Sequence, residues 1–216
     1  MPPNLLSSPS SGRSKWSNTA WRFFQAFFLL AIVFSCIRLT PALPAITGFD
    51  ASNDSPDIAS VGPTVYMIRH GEKPDEGNGL DTEGLKRAKC LRTLFGASGK
   101  YNIGYVMAQQ PKSNGKRRRP LDTVKPLARD LGLKVDTSCD RDDMDCVVKI
   151  ITGYKGPGNI LLCWEHERLT DIATALGVKN PPTYPWDSFD LIWTLPYRYK
   201  AVTRIKSEKC PKLDKR

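Results

Sequence analysis

Short apolar runs alternate with amphipathic segments along the chain from Thr64 onward. Runs such as VYMI at 65–68 and NILLCW at 159–164 are bounded by polar residues and rich in strand-forming side chains, which is typical of buried strands. Between these runs, apolar residues recur every three or four positions, as in a helix with one buried face. This alternation predicts a three-layer α/β/α sandwich with a mixed, mostly parallel sheet.

The same pattern sets the bounds of the expected elements. Strands are predicted at 64–68, 103–108, 134–136 and 159–164, followed by two late strands at 189–195 and 201–205 that are expected to be antiparallel at an edge. Helices are predicted at 82–95 behind the N-cap Asp81, at 120–131 before Gly132, from a cap at Asp140 to Ile151, and from the residues after His166 to Gly177.

The first 62 residues do not follow this pattern. Residues 1–22 form a basic leader that is predicted to be disordered, and residues 46–62 form a polar linker to the domain at 63–216. The segment 23–45 opens with an almost wholly apolar stretch, whose length suits a signal-peptide core better than a spanning helix. An uncleaved membrane anchor is the alternative, and either one predicts a secreted or extracytoplasmic domain.

Composition and charge narrow the choice of ligand. The apolar fraction of 40% is normal for a globular protein. The formal net charge is +10, and the first 45 residues contribute four basic side chains and no acid, which leaves +6 for the remainder. A moderate positive charge favours anionic ligands. A small phosphorylated substrate is expected, with no nucleic-acid partner, and the sequence defines no oligomeric state.

The cysteines predict one bridge and no metal site. Cys139 and Cys146 flank a short acidic loop and are the expected disulfide. Cys163 lies inside a predicted strand and is expected to be a buried thiol. No spacing of cysteines and histidines matches a zinc site. Neither a metal nor another cofactor is therefore expected.

The chain has two histidines, and each follows a predicted buried strand. Arg69, His70 and Gly71 come at the end of the first strand, and His166 follows the strand at 159–164. Gly71 is expected to let the backbone turn sharply there. Parallel strands end at one edge of a sheet, where α/β proteins bind ligands, so the two rings are expected to converge. An arginine arriving with them predicts an anion site.

A second arginine is predicted to join this site. Arg119 precedes Pro120, which suits the first position of a helix. The free N–H groups and positive dipole end of that helix favour an anion, so the helix and the guanidinium would act on the same ligand. Arg118 is the alternative if the loop register differs. Lys116 and Arg117 are expected to belong to a solvated basic loop.

These pieces resemble the histidine phosphatase superfamily, also called the phosphoglycerate mutase-like family. The matching residues are Arg69-His70-Gly71, the segment LDTEGLKRA at 80–88, Arg119 four residues before Thr123, and His166 with Glu167. In order and spacing, they cover most of residues 64–176. More narrowly, the chain is similar to the small secreted fungal members of that family.

The resemblance implies metal-independent hydrolysis of phosphomonoesters through a phosphohistidine. His70 would be the nucleophile, and Arg69, Arg119 and His166 would bind the phosphoryl oxygens. The physical chemistry agrees, because a phosphate monoester is close to a dianion at neutral pH and its transfer requires several fixed positive donors. The planar, permanently charged fork of arginine supplies these better than lysine does.

The leaving group also needs a proton donor. The resemblance to the acid-phosphatase branch of the family implies Glu167, directly after the second histidine, and Glu72 and Glu165 are its rivals. Gly71 and Glu72 are further expected to contact the substrate. The acid-phosphatase signature has an arginine two residues past the glycine, where this chain has Lys73, and the difference argues against phytase-like activity.

Two other functions stay open at this point. One is phosphoryl transfer of the phosphoglycerate mutase type, which requires that a phosphorylated intermediate be protected from water. The other is a catalytically inactive member of the fold that binds phosphorylated ligands.

Overall fold

The structure, a computed structural model, describes residues 62–214. The predicted leader, the predicted signal or anchor segment, and residues 46–61 of the predicted linker lie outside the described residues. All the predicted strands and helices fall inside them. Within residues 62–214, no helix has both the length and the apolar character needed to cross a membrane.

Six strands form one mixed sheet. They are β1 (Val65–Arg69), β2 (Ile103–Ala108), β3 (Val135–Asp136), β4 (Asn159–Trp164), β5 (Leu191–Leu195) and β6 (Arg204–Ser207). Their order across the sheet is β3-β2-β4-β1-β5-β6. The first four strands are parallel, and β5 is antiparallel to both of its neighbours. The central strands β4 and β1 have neighbours on both sides and helices on both faces, so nearly all their residues are buried.

Four helices cover the two faces of the sheet. They are α1 (Thr82–Leu94), α2 (Arg119–Asp130), α3 (Met144–Gly153) and α4 (His166–Ala175). The core on the α1 and α2 side includes Ile68, Leu91 and Leu127, and the core on the α3 and α4 side includes Met67 and Ile151. Met67 and Ile68 face opposite layers, as the pleat of a strand requires. The predicted three-layer α/β/α sandwich with a mostly parallel sheet is confirmed.

The predicted cap of α3 is wrong by three residues. Asp143 is the N-cap, and its carboxylate accepts a hydrogen bond from the N–H of Cys146 (2.9 Å). Asp140, the predicted cap, binds the guanidinium of Arg117 instead (2.9 Å). The sequence does not distinguish Asp140 from Asp143 as the cap, because several aspartates in the loop satisfy the same capping rule.

The late strands also differ from the prediction. Both are antiparallel to their neighbours as expected, but only β6 lies at the edge, because β5 pairs with β1 on its other side. β6 begins at Arg204 rather than at residue 201, since the preceding residues form the turn between the strands. Two residues of that turn, Arg198 and Tyr199, have left-handed backbone conformations (φ 73° and 49°).

Two disulfides fix loops around the sheet. Cys139 and Cys146 are bridged, as predicted, and Cys163 is a buried free thiol in β4. A second bridge joins Cys90 of α1 to Cys210, across 120 residues. Spacing alone could not pair these two cysteines, because the intervening chain contains most of the sheet. This bridge holds the C-terminal segment, residues 208–214, against α1.

Candidate active site

β1 and β4 bring the predicted site residues to one edge of the sheet. The strands are parallel neighbours, and Arg69 lies opposite Trp164 in their register. The backbone N–H of His70 donates to the carbonyl of Trp164 (3.1 Å), so the ladder continues one residue past β1. His166 begins α4 two positions beyond Trp164. The two histidines therefore leave adjacent strand ends, as the sequence predicts.

His70 is a neutral imidazole with one free ring nitrogen. Its Nδ1 lies 2.7 Å from the carbonyl oxygen of Gly71, and because a carbonyl only accepts hydrogen bonds, Nδ1 carries the proton. Nε2 therefore bears the lone pair. Burial lowers the pKa of His70 to about 4, and the charges of Arg69 and Arg119 act in the same direction. The ring is neutral at neutral pH, and its Nε2 can act as a nucleophile.

Two glycines bring the loop after His70 into contact with α1. A Cβ on Gly84 would lie 2.3 Å from the carbonyl oxygen of Glu72, and a Cβ on Gly71 would lie 3.0 Å from the Cα of Gly84. Gly71 does not have a positive φ, so the reason for this glycine is close packing and not the sharp turn that the sequence predicts. Its N–H donates to Oγ1 of Thr123 in α2 (2.9 Å).

Arg69 is buried and held by the loop before β5. Its Nη1 donates to the carbonyls of Trp186 and Ser188, each at 2.6 Å. Its guanidinium carbon lies 3.7 Å from the centre of the Phe189 ring. Nε is also buried, and no described residue accepts a hydrogen bond from it. Burial lowers the pKa of Arg69 from its ordinary value. The N–H group at Nε of this cation is therefore left without a partner among residues 62–214.

Arg119 is the first residue of α2, and the loop after β1 orients its side chain. Nε donates to the carbonyl of Gly79 (3.1 Å), and Nη2 donates to the carbonyl of Gly77 (2.7 Å). The backbone carbonyl of Arg119 accepts from the hydroxyl of Thr123 (2.8 Å), the same hydroxyl that accepts from the N–H of Gly71. Thr123 thus connects the start of α2 to the loop that follows His70.

A cavity of about 230 Å³ is lined by both His70 and Arg119. The volume suits a phosphate group with part of its alcohol, and the cavity is below the usual range for drug-sized ligands. Arg118, the alternative arginine, pairs with Asp122 (2.6 Å) and does not line this cavity. Of Arg118 and Arg119, it is therefore Arg119 that lines the cavity together with His70.

His166 is half-buried at the start of α4. Burial lowers the pKa of His166, Arg69 acts in the same direction, and Glu167 and Glu165 oppose the shift. Its Nδ1 is buried, with no hydrogen-bond partner among the described residues. A neutral ring with an unsatisfied nitrogen at a helix N-terminus is suited to an anion. His166 shares the sheet edge with the cavity but is not part of the cavity wall.

Comparison with solved structures agrees with this geometry. The protein histidine phosphatase SixA, solved in complex with tungstate, has a TM-score of 0.51 and 16% identity, and the match covers 67% of this chain and 97% of SixA. This chain has the histidine phosphatase fold. A putative SixA from Agrobacterium tumefaciens is also similar, with a TM-score of 0.43, 13% identity, and 67% and 97% of the two chains covered. A putative alpha-ribazole-5'-P phosphatase from Escherichia coli is similar as well, with a TM-score of 0.45 and 13% identity. That match covers 68% of this chain and 95% of the Escherichia coli chain.

The sequence itself matches no family model and no curated protein. Its likeness to the small secreted fungal members of the histidine phosphatase superfamily stays a prediction.

The three candidate proton donors, all glutamates, have different surroundings in the structure. Glu165 lines the 230 Å³ cavity, and its Oε2 accepts from Nη1 of Arg141 (2.7 Å). Glu167, the donor favoured by the sequence, is exposed and outside the cavity wall. Glu72 accepts from Arg87 with both carboxylate oxygens, at 2.6 to 3.1 Å. Of the three, Glu165 is the carboxylate that lines the same cavity as His70.

Six residues of the cavity wall were not predicted as site residues. They are Asn78, Gln109, Lys116, Arg117, Pro120 and Arg141. Gln109 is buried at the end of β2, and its Oε1 accepts from the N–H of Glu165 (3.1 Å). Arg117 is held by Asp140 in the bridged acidic loop. The signal that could have found Gln109 is its place at the carboxyl end of a strand beside β4, whereas the two arginines carry no such signal.

Glu72 belongs to a buried ion cluster around Arg87. The same guanidinium donates to Glu208 (2.5 Å) and to Asp214 (2.9 Å) in the C-terminal segment. Burial raises the pKa of Glu208 to about 8, although Arg87 opposes the shift. Oε1 of Glu208 is buried without a described partner. A single side chain thus ties the loop after His70 to the C-terminal segment.

Proposed function

We propose that this chain hydrolyses phosphomonoesters through a phosphohistidine formed on His70. The observation that carries the proposal is the hydrogen bond from Nδ1 of His70 to the carbonyl of Gly71, which leaves Nε2 free to attack. A buried, unprotonated imidazole beside two arginines is suited to this chemistry, because Arg69 and Arg119 offset the charge of the phosphoryl oxygens. The likeness to the phosphatase SixA supports the same class of reaction.

In the first step, Nε2 of His70 forms a bond to phosphorus and the bond from phosphorus to the leaving oxygen breaks. Arg119 supplies permanent charge at the N-terminus of α2, where free N–H groups also favour an anion. We assign Nε of Arg69 and Nδ1 of His166 as further donors to the phosphoryl oxygens. Their support is that both nitrogens are buried without a described partner.

We assign proton donation to Glu165 rather than to Glu167. The support is that Glu165 shares a cavity wall with His70, whereas Glu167 is outside that wall and Glu72 is bound to Arg87. The donated proton is needed most when the leaving group is a poor one, such as an alkyl alcohol, and least for an aryl alcohol.

In the second step, water attacks the phosphohistidine and the bond from phosphorus to Nε2 breaks. Glu165 accepts the proton of the attacking water, so that the carboxylic acid and the free imidazole are both restored and inorganic phosphate leaves. Every role in this cycle is filled by a side chain of the described chain, and its substrate is a phosphate monoester.

We infer that the domain works in an oxidising compartment outside the cytoplasm. Disulfides persist in such compartments and are rare in the cytosol of most organisms, and this domain has two. The apolar segment at 23–37 fits this inference, either as the core of a signal peptide or as an anchor.

The function is tested with the purified chain, an aryl phosphate and a chelator. We expect release of the aryl alcohol and of inorganic phosphate, and a rapid quench during turnover is expected to trap one phosphate on His70, located by mass spectrometry. Transfer of the phosphoryl group to a sugar-acid acceptor without release of phosphate would contradict the proposal in favour of a mutase. Binding without turnover would contradict it in favour of an inactive member.

The pH profile of kcat/KM provides a further prediction. Because the pKa of His70 is lowered to about 4, the nucleophilic form persists well below the usual range of histidine. After correction for the second ionisation of the substrate, which has a pKa of about 6, we expect kcat/KM to fall only as the pH approaches 4. An acid limb at the ordinary histidine pKa, about 6.5, would show that His70 is not held as described.

A further inference from the structure

A groove of about 1030 Å³ runs beside the proposed catalytic cavity. Its wall is formed by the loop before α1, the outer side of α2 and strand β3. The apolar part of the wall includes Leu80, Leu85, Leu121, Leu133 and Val135. Leu85 is a large apolar side chain of α1 and is 61% exposed. Large exposed apolar surfaces of this kind on soluble domains usually bind something.

The groove and the catalytic cavity share a wall. Arg119 and Pro120 line the cavity, whereas Arg118 and Leu121, which directly flank them, line the groove. Gly79 lines the groove, and its carbonyl accepts from Nε of Arg119 (3.1 Å). The first turn of α2 therefore lies between the groove and the cavity. A ligand that crosses this turn would contact both.

The charges on the groove are mostly positive. Lys125, Arg129 and Lys134 line it together with Arg118, and Asp122 is the acidic residue of its wall. Arg118 and Asp122 neutralise each other, because Nε of the arginine lies 2.6 Å from the carboxylate. Three cations therefore remain for an occupant, which favours an acidic ligand with apolar side chains.

The backbone of β3 favours a peptide over other acidic ligands. β3, a strand of two residues, lies at the edge of the sheet opposite to β6, and no described strand pairs with its other edge. Leu133, Val135 and Thr137 line the groove at alternate positions, together with Lys134. An extended peptide can add to an open strand edge with its main chain and place alternate side chains into apolar contacts. A lipid chain would not use these backbone groups.

From these observations we infer that the groove binds an acidic, extended peptide segment next to a phosphorylated residue whose phosphate enters the catalytic cavity. The inference rests on the proposed function, because it names the substrate class of the same site. It implies that phosphoproteins or phosphopeptides are better substrates than isolated phosphate esters. The gain is expected mainly in KM, since the flanking contacts are made equally in the ground state and the transition state.

The test compares two phosphotyrosyl peptides with an aryl phosphate. One peptide carries glutamates and leucines beside the phosphotyrosine, and the other carries glycines and serines. We expect the first to have a kcat/KM about tenfold higher, mainly through KM. In the double variant Lys125→Glu/Lys134→Glu this preference is expected to be lost, while the aryl phosphate is hydrolysed within about threefold of the parent rate.

The double variant Lys149→Glu/Lys179→Glu is the matched control. It makes the same charge change at two exposed positions associated with α3 and α4, on the other face of the sheet. The control is expected to keep the preference for the acidic peptide. An equal loss in both double variants would show that only net charge matters and would overturn the inference.

Other outcomes are also decisive. If the parent hydrolyses the aryl phosphate but does not distinguish the peptides, the substrate inference is wrong and the phosphatase stands. If it hydrolyses none of the three substrates, the proposed function fails as well. If N-methylation of alternate amides in the acidic peptide leaves KM unchanged, pairing with β3 is overturned. Preference for a long-chain alkyl phosphate over the acidic peptide would assign the groove to a lipid instead.

Discussion

Replacing His70 by alanine is expected to lower kcat for an aryl phosphate by about 10⁴-fold or more. The substitution removes the ring nitrogen that forms the bond to phosphorus. The arginines that remain can bind a phosphate dianion but cannot accept the phosphoryl group at neutral pH, because they stay protonated. The rate is measured over a wide range of enzyme concentrations, and the quench experiment is expected to trap no phosphate on the variant.

Two further variants make this result specific. His70→Asn keeps much of the buried volume and is expected to be as inactive as the alanine variant, which excludes a cavity as the cause. His166→Asn removes a proposed phosphate donor but not the nucleophile, so we expect a smaller loss, about 10² to 10³-fold. Melting temperatures verify that all three variants are folded. If His70→Asn kept more than about one hundredth of the parent rate, histidine would not be the nucleophile.

The second large effect is expected on stability, from Arg87→Ala. This arginine is 2% exposed and binds Glu72, Glu208 and Asp214. Its removal leaves the carboxylates of Glu72 and Asp214 without a compensating charge and the buried carboxyl group of Glu208 without its hydrogen-bond donor. Breaking a buried ion pair in this way typically costs about 3–5 kcal/mol in the free energy of unfolding. The measurement is denaturant unfolding at neutral pH with the disulfides intact.

Arg92→Ala is the matched control for this prediction. Arg92 lies in the same helix and also pairs with an aspartate, Asp130, but both side chains are largely exposed. Exposed pairs contribute little to stability because water screens their charges, so the free energy of unfolding of this variant is expected to be close to that of the parent. Equal losses in the two variants would mean that the buried cluster is not a special source of stability.

Glu208→Gln separates the charge of the cluster from its packing. The pKa of Glu208 is raised from 4.5 to about 8 by burial, so the folded chain holds this proton more tightly than the unfolded chain does. The corresponding stability is fully present below pH 4.5 and is lost as the pH rises through 8. Glutamine does not titrate, and the variant is expected to lose this decline. An unchanged slope of stability against pH between those limits would contradict the assignment.

The fold was largely predictable because its signals are local. Strands β1, β2, β4 and β5 are short apolar runs, and Gly132 and Gly177 end helices with positive φ angles, as their positions in the sequence indicate. The convergence of His70 and His166 also follows from a local fact, since both come just after parallel strands. What the sequence could not show is that β5 inserts between β1 and β6, because antiparallel pairing leaves no separate mark in the apolar pattern.

The parts of the site that were missed depend on contacts between distant residues. Glu72 follows the nucleophilic histidine by two residues, which made it a natural candidate for substrate contact, yet Arg87 takes its carboxylate. Arg141 and Gln109 act through Glu165, to which both bind. No spacing rule pairs such residues, because their partners come from separate loops that meet only after the sheet has formed.

The ion cluster and the bridge between Cys90 and Cys210 have a consequence for the order of folding on the ribosome. Two of the residues that Arg87 binds, Glu208 and Asp214, lie 121 and 127 residues further along the chain. Arg87 can pair with Glu72 early, but the ion cluster cannot be completed until Glu208 and Asp214 have also left the exit tunnel. Nascent chains stalled before Glu208 lack the bridge and two of the three carboxylates that bind Arg87, and they are expected to be less stable than the whole domain.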